Sequence, residues 1–329
     1  MKFPSMLDAE RFEKLQPPKG KVRAVIDTDT YNEIDDQFAV VHALLSPEKL
    51  TVEGLYAAPF FNLRSSSPGD GMEMSYDEII RLLGKLDVPS EKLAYRGSPG
   101  FLQDYEHPYA SEAVNDLIER AMKSHEPLYV VAIGALTNIA SAILIEPKLI
   151  EKIVLVWLGG TALHWPHAVE FNLAGDVLAA RLVFDCGVPL ILIPCAGVTT
   201  HLRTTVSEIE RYVEGQGAIG DYLAQTFKGY IDDHFAWSKE IWDVVAIAYL
   251  LNADWIPSHI VSSPIITQRT ADDVSNVDPY SWTKHPLTWS FDSSRHQIRC
   301  AYFVHRDPIF RDLFTKLEGW ANGAIKIRG

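Results

Sequence analysis

The chain has 329 residues, of which 47% are hydrophobic and 22% are charged, and these values fit one large globular domain. Its formal net charge of −13 disfavours a nucleic-acid partner, because binding to a phosphate backbone needs a positively charged surface. No apolar run approaches the roughly 20 residues of a membrane-spanning helix, and residues 1–20 lack the apolar core of a signal peptide. We therefore expect a cytoplasmic protein that binds neither nucleic acid nor membranes.

Short apolar runs alternate along the chain with segments of helical periodicity. In chain order, these patterns predict strand 22–26, helix 37–45, strand 50–56, helices 74–86 and 111–123, strand 128–133, helix 136–144, strand 153–158, helix 177–184 and strand 190–194. Residues 205–255 are predicted to be mainly helical and to precede short strands and a final helix at 308–317, whereas 65–71 is interpreted as a flexible loop. The alternation favours an α/β fold with a mainly parallel central sheet flanked by helices. We expect a single large domain over residues 1–329, with 1–20 as an N-terminal extension.

An unusual density of carboxylates follows the first predicted strand. Asp27, Asp29, Asp35 and Asp36 lie within ten positions, together with Glu33. Carboxylates at this density repel one another unless a cation holds them, and an oxygen-rich site suits Ca²⁺ or Mg²⁺. The alternative is a solvated acidic turn in which Asp35 or Asp36 caps the next helix. The cluster lies at the carboxyl end of a predicted strand, where parallel sheets bind their ligands.

Three later segments accompany this acid loop. Residues 134–140 read GALTNIA, residues 170–172 read EFN, and Asp243 stands in the sequence WDVVA. Together with the acid loop, they resemble the DxDxGxDDA, GGLTNIA, EFN and HDPxA elements of the inosine–uridine-preferring nucleoside hydrolase family. The resemblance spans about residues 21–255 and implies the nucleoside-hydrolase fold. The chain departs from the family pattern by carrying Tyr-Asn-Glu at 31–33 where the family has a single glycine.

A calcium site is implied by this resemblance. Asp29, Asp36, Asp243 and the backbone carbonyl of Ile133 would ligate Ca²⁺, while water molecules and sugar hydroxyls would complete the coordination. The apolar side chain of Ile133 does not argue against this role, because only its carbonyl would bind. The alternative for Asp243 is a helix N-cap.

The resemblance also implies contacts to the sugar. Asp35 would accept a hydrogen bond from a ribose hydroxyl, and Glu170 and Asn172 would hold the other hydroxyls. Asn62, which follows the second predicted strand, would reach the same pocket. The alternative for Glu170 and Asn172 is a loop with helix-capping side chains.

The implied reaction is hydrolysis of an N-ribosyl bond through an oxocarbenium-like transition state. Asp29 would act as the general base for a water molecule that the cation positions. Activation of the leaving group is less clear from the pattern, because Trp242 replaces a His of the best-known subgroup and His164 stands where an Asn is common. Either His164 is a displaced general acid, or aromatic side chains stack on the departing base. The candidates for stacking are Phe60, Phe61, Trp165, Trp237 and Trp242, each of which also fits ordinary packing.

We interpret the chain as a calcium-dependent glycosyl hydrolase that acts on a nucleoside-type N-ribosyl bond in a small-molecule substrate. One alternative is a hydrolase of another ribose-like carbohydrate derivative. Another is a non-catalytic homologue that binds a sugar or a metal ion. The resemblance also allows a homo-oligomer, either a dimer or a tetramer.

Overall fold

The structure is a computed structural model that describes residues 3–268 and 287–327. Its strands are β1 Val22–Thr28, β2 Leu50–Ala57, β3 Ala94–Tyr95, β4 Leu128–Ala132, β5 Ile153–Leu158, β6 Leu190–Ile193, β7 Arg203–Thr204, β8 Lys239–Glu240, β9 Ser258–Ser262, β10 Ile265–Gln268, β11 Leu287–Ser290 and β12 Gln297–Ala301. Eight of these strands form a central sheet in the order β3-β2-β1-β4-β5-β6-β12-β9. All neighbours in this sheet are parallel except β12 and β9, so the predicted mainly parallel sheet is confirmed.

Helices surround the sheet. They are α1 Asp8–Lys14, α2 Asp36–Leu44, α3 Pro68–Lys85, α4 Glu112–Lys123, α5 Thr137–Ile145, α6 Phe171–Gly175, α7 Val177–Cys186, α8 Cys195–Val198, α9 Val206–Tyr212, α10 Gly217–Lys228, α11 Val244–Leu251 and α12 Arg306–Ala321, with 3₁₀ turns at Pro147–Glu151 and Ala253–Trp255. The five predicted strands and the helices between them are present, with shifted ends.

The prediction of a flexible loop at 65–71 is wrong in its second half. Pro68 opens α3, because the Ser67 hydroxyl accepts a hydrogen bond from the Asp70 amide at 3.1 Å and caps the helix. Proline is well suited to the first turn of a helix, where its missing N–H costs nothing. The serines that precede it were correctly placed outside regular structure.

The apolar side chains of the sheet alternate between two cores. In β1, Val25 joins the core beneath α4, α5 and α7, whereas Ile26 joins the core beneath α2, α11 and α12. Both side chains are almost completely buried. Burial on both faces explains why the strands read as continuous apolar runs rather than as alternating patterns.

The strand order reverses direction at β1. The chain passes from β1 to β2 on one side, whereas β4 and β5 extend the sheet on the other side. Parallel sheets form a crevice at such a point, beyond the carboxyl ends of the strands. The loops that follow β1, β4 and β5 therefore meet there, and they contain many of the predicted site residues, whereas Asn62 follows β2 and Asp243 precedes α11.

Candidate active site

Three carboxylates meet at this crevice. Asp36 opens α2, Asp35 precedes it, and Asp243 directly precedes α11. The carboxylate oxygens of Asp35, Asp36 and Asp243 lie within 4.8 Å of one another, and all three residues are buried. The sequence prediction gave Asp36 and Asp243 to the metal and Asp35 to the sugar, but the geometry makes Asp35 a third candidate ligand.

Asp29 is a fourth buried carboxylate, which lies outside the group of three but close enough to repel Asp243. Neither of its two side-chain oxygens has a hydrogen-bond partner among the described residues, and neither does Asp36 Oδ2. The other oxygen of Asp36 accepts a hydrogen bond of 2.5 Å from the Thr28 hydroxyl. A buried acceptor without a partner is costly, so these oxygens need a ligand.

The pKa values of these carboxylates also indicate that the site suits a cation. Burial raises the pKa of Asp29, and the neighbouring Asp36 carboxylate raises it further. Burial likewise raises the pKa of Asp243, with added repulsion from Asp35, Asp36 and Asp29. A divalent cation would offset both burial and the mutual repulsion of the carboxylates, because it stabilises their ionised form and binds the oxygens that have no hydrogen-bond partner. The four side chains therefore fit a cation such as Ca²⁺ or Mg²⁺.

A cavity of about 680 Å³ opens above the cluster. Asp35, Asp243 and Ile133 contribute to its lining. The Ile133 carbonyl accepts a hydrogen bond of 3.3 Å from Asn172 Nδ2, so the predicted carbonyl ligand lies beside a predicted sugar-binding residue. The volume falls within the usual range of small-molecule sites.

Glu170 and Asn172 both line this cavity and both have structural partners. Glu170 caps α6, because Oε1 accepts from the Asn172 amide and Oε2 accepts from the Leu173 and Gly160 amides. Burial raises the pKa of Glu170 to about 7 despite these donors. Asn172 Nδ2 also donates to the Leu158 carbonyl at 3.0 Å. The capping alternative is therefore present, and the Asn172 carbonyl oxygen remains available for a sugar hydroxyl.

The Tyr31–Asn32–Glu33 segment, which we call the insertion, forms part of the cavity wall. Asn62 Nδ2 donates to the Asn32 carbonyl at 3.1 Å, and Arg64 Nη1 donates to the carbonyls of Tyr31 and Glu33 at 3.2 Å each. Asn32, Glu33, Asn62 and Arg64 all line the cavity. Asn62 thus lies on the wall of the pocket, and its side-chain amide is bonded to the insertion.

An ion pair fastens the insertion from the opposite side. Lys239 Nζ, whose side chain is 8% exposed, lies 2.5 Å from Glu33 Oε2. The same ammonium group lies 5.5 Å from the centre of the Tyr230 ring and 5.6 Å from that of Trp242. The insertion therefore joins the loop after β2 to the segment that leads into α11.

The aromatic candidates for stacking separate into two groups. Trp165 and Trp242 line the cavity. Trp237 instead packs against Phe227, with ring centres 5.0 Å apart, and is absent from the lining. Phe60 and Phe61 line a smaller neighbouring cavity of about 260 Å³ together with Asp29. Only the two cavity-lining tryptophans are placed for contact with a ligand above the carboxylates.

The structure does not bring His164 to the cavity. Its side chain is exposed and lines a second cavity with His259 and Tyr302. His167, three residues later, lines the main cavity, as does Tyr230. The position of His167 in the loop before the EFN segment was a signal that it could lie near the cavity, whereas nothing in the local sequence marked Tyr230.

Fold and site together define an α/β protein with an acidic ligand cavity at the carboxyl ends of parallel strands. Residues 71–303, more than two thirds of the chain, match the family model for inosine-uridine preferring nucleoside hydrolase. The chain therefore belongs to this family, and so to the glycosyl hydrolases that act on N-ribosyl bonds. The match begins after the acid loop, so the roles of Asp29, Asp35 and Asp36 rest on the geometry.

Individual relatives agree with this assignment. The chain is 27% identical over 197 residues to the pyrimidine-specific ribonucleoside hydrolase RihB of Escherichia coli, which covers 56% of this chain and 63% of that relative. The fold of the present chain is similar to that of the purine-preferring ribonucleoside hydrolase from Gardnerella vaginalis, with a TM-score of 0.70 and 20% identity. The match covers 91% of this chain and 99% of that chain. The plant nucleoside hydrolase PpNRh1 gives a TM-score of 0.66 at 20% identity, with coverage of 90% and 99%. Among the described residues, no helix is both long and apolar enough to cross a membrane.

Proposed function

We propose that this chain hydrolyses the N-ribosyl bond of ribonucleosides in a calcium-dependent reaction. The observation that carries the proposal is the buried group of Asp35, Asp36 and Asp243, with Asp29 beside it, at a nucleoside-sized cavity in a member of this family. Asp29 and Asp36 have side-chain oxygens without a partner among the described residues. The relatives' preferences for pyrimidine and purine nucleosides differ, so the proposal covers ribonucleosides as a class.

The four aspartates and the Ile133 carbonyl would hold the cation. We favour calcium over magnesium because a buried site with four carboxylates and a carbonyl suits the higher and looser coordination of calcium. When bound, such a cation supplies electrophilic polarisation and lowers the pKa of a water molecule that it orders.

The chain's own residues account for the rest of the reaction. Asp29 accepts a proton from the attacking water molecule while the oxygen of that water bonds to the anomeric carbon of ribose. The C–N bond breaks, its electron pair leaves with the base, and the surrounding carboxylates stabilise the positive charge on the sugar. Asn62, Glu170 and Asn172 hold and orient the sugar hydroxyls. Trp165 and Trp242 provide apolar faces against which the base packs.

The proposal is tested by incubating the purified chain with uridine, cytidine, inosine, guanosine and nicotinamide riboside in the presence of Ca²⁺ and measuring free ribose. We expect ribose from at least one nucleoside, and a kcat about 10²–10⁴-fold lower in Asp29→Asn because the general base is lost. Asp77→Asn, on the exposed face of α3, is the matched control and keeps wild-type kcat.

Three outcomes contradict this function. Release of no ribose from any nucleoside rules out the hydrolase activity. Binding of free ribose without turnover identifies a sugar-binding homologue instead. Full kcat in Asp29→Asn removes Asp29 from the role of general base.

A further inference from the structure

In the loop between β5 and α6, hydrogen bonds fix the backbone at His167 and Ala168 beside the cavity. The Thr161 hydroxyl donates to the His167 carbonyl, and Trp289 Nε1 donates to the Thr161 hydroxyl oxygen at 3.0 Å. The next amide, that of Ala168, donates to the Leu287 carbonyl at 2.8 Å. The backbone on both sides of the His167 side chain is therefore fixed by neighbouring elements.

The His167 ring itself is free to act on a ligand. It lines the main cavity and lies edge-on to Trp165, with ring centres 5.8 Å apart. Neither ring nitrogen has a hydrogen bond to a described residue, and Nδ1 is buried without a partner. A fixed backbone, a packed ring and unused nitrogens are what a positioned proton donor requires.

Other side chains around the cavity are less suited to this task. The Arg64 guanidinium already donates to the carbonyls of Tyr31 and Glu33. Asp35, Asp243 and Glu170 belong to the cation cluster or to the helix cap described above. The Tyr230 hydroxyl lies 3.4 Å from Glu33 Oε1 and donates to that carboxylate. Among the described residues that line the cavity, His167 is the single imidazole.

We propose that His167 is the general acid that protonates the departing base. This inference rests on the proposed function. As the C–N bond breaks, the electron pair moves to the base, and a ring nitrogen of the protonated imidazole gives its proton to a nitrogen or oxygen atom of the base. The neutral imidazole then regains a proton from solvent, so water adds across the C–N bond with no other reactant.

The test uses leaving groups that differ in their need for a proton. We compare kcat of wild type and His167→Gln on the best nucleoside and on 4-nitrophenyl β-D-ribofuranoside, whose phenolate departs without protonation. Loss of a general acid lowers kcat for the nucleoside about 10²–10⁴-fold, whereas kcat for the nitrophenyl riboside stays within a few-fold of wild type. His164→Gln, at the second cavity, is the matched control and keeps both activities.

A second variant separates chemistry from folding. His167→Ala with added imidazole should recover part of the nucleoside activity, because the small molecule can occupy the space left by the ring. Equal losses on both substrates, or unchanged nucleoside kcat in His167→Gln, overturn the assignment. A selective loss in Tyr230→Phe but not in His167→Gln moves the role to Tyr230. No turnover of any riboside by wild type overturns the proposed function, and this assignment falls with it.

Discussion

The Asp29 carboxylate is tightly enclosed by its neighbours. It is completely buried, and neither of its side-chain oxygens has a hydrogen-bond partner in the part of the chain that the structure describes. A side-chain carbon built on Gly134 would lie 3.1 Å from Asp29 Oδ1 and 3.2 Å from the Ala58 methyl group. The absence of a side chain at Gly134 therefore leaves room for the Asp29 carboxylate in its observed orientation.

Replacement of Gly134 by alanine should weaken calcium binding. The new methyl group displaces the Asp29 carboxylate by a few tenths of an ångström, and misplacement of groups that support a metal site reduces affinity about 10–100-fold. Isothermal titration of Ca²⁺ into the metal-free protein measures the change. Gly84→Ala is the control, because Gly84 lies in α3 with no atom within 4 Å of the added carbon. Unchanged affinity in Gly134→Ala would show that the Asp29 orientation is not critical.

Sequence motifs predicted the charged residues of the site better than the residues around them. The acid loop with Asp36 was predicted as a cation site because it directly follows a strand, whereas Asp243 was assigned to the same site only by the family resemblance. The sequence pattern pointed to His164 and did not indicate that His167 lines the cavity, since this depends on the path of an irregular loop. That path is set by Thr161 and by Trp289, which lies far away in the sequence.

His296 makes stability depend on pH. Burial, followed by repulsion from Arg11 and Arg295, lowers the pKa of His296 to about 4. The unfolded chain takes up this proton near pH 6.5, so the stabilisation is complete above pH 6.5 and is lost as the pH falls towards 4. Urea unfolding between pH 7 and 4 should show a smaller acid-induced loss in His296→Gln than in wild type. Equal losses in the two proteins would show that His296 does not carry this effect.

At the level of elements, the insertion is the feature that distinguishes this chain from the family pattern. Arg64 holds its backbone from the loop after β2, and Lys239 holds the Glu33 carboxylate from β8. Three polar residues in place of one glycine thus become part of the cavity wall, held on both sides. Because Asn32 and Glu33 border the cavity, we predict that the insertion influences which substrates bind.

Removal of the Lys239 ammonium group tests this wall. Lys239→Met should lower the free energy of unfolding by about 1.5–3 kcal/mol, the usual value for a hydrogen bond to a charged group. It should also raise KM more than it lowers kcat, if the wall binds the base and does not take part in the reaction, as we propose. Lys239→Arg, which keeps the charge, should retain most of the stability. A loss in Lys239→Met that persists at full size in the Glu33→Gln background would contradict a direct Lys239–Glu33 coupling.

Some elements were easier to predict than others. The strands β1, β4 and β5 were found because both faces are buried and the sequence reads as an apolar run. Helix α1 was missed, since it is short and is held mainly by Arg11 Nη1, which donates to the distant Gly187 carbonyl at 2.6 Å. The bounds of α3 were misjudged because Pro68 was read as a loop residue rather than as a helix start.

At the level of the whole molecule, the strand order explains why residues from distant parts of the chain share one site. The reversal at β1 opens the crevice, and α2 and α11 both begin at its edge with Asp36 and Asp243. Alternation of strands and helices predicted the parallel sheet, but not the order of its strands. The order depends on long-range pairing, which local patterns do not encode.

Calcium titration of the metal-free protein, with ribose release recorded at each step, tests the central claim most directly. The account predicts one saturable calcium site per chain, negligible turnover after chelation, and a rate that rises in proportion to the occupied fraction. Asp36→Asn should bind calcium far more weakly, because it removes one negative charge and weakens one ligand. Turnover that is unaffected by chelation, or calcium binding that is unchanged in Asp36→Asn, would contradict the assignment of this carboxylate cluster as the catalytic cation site.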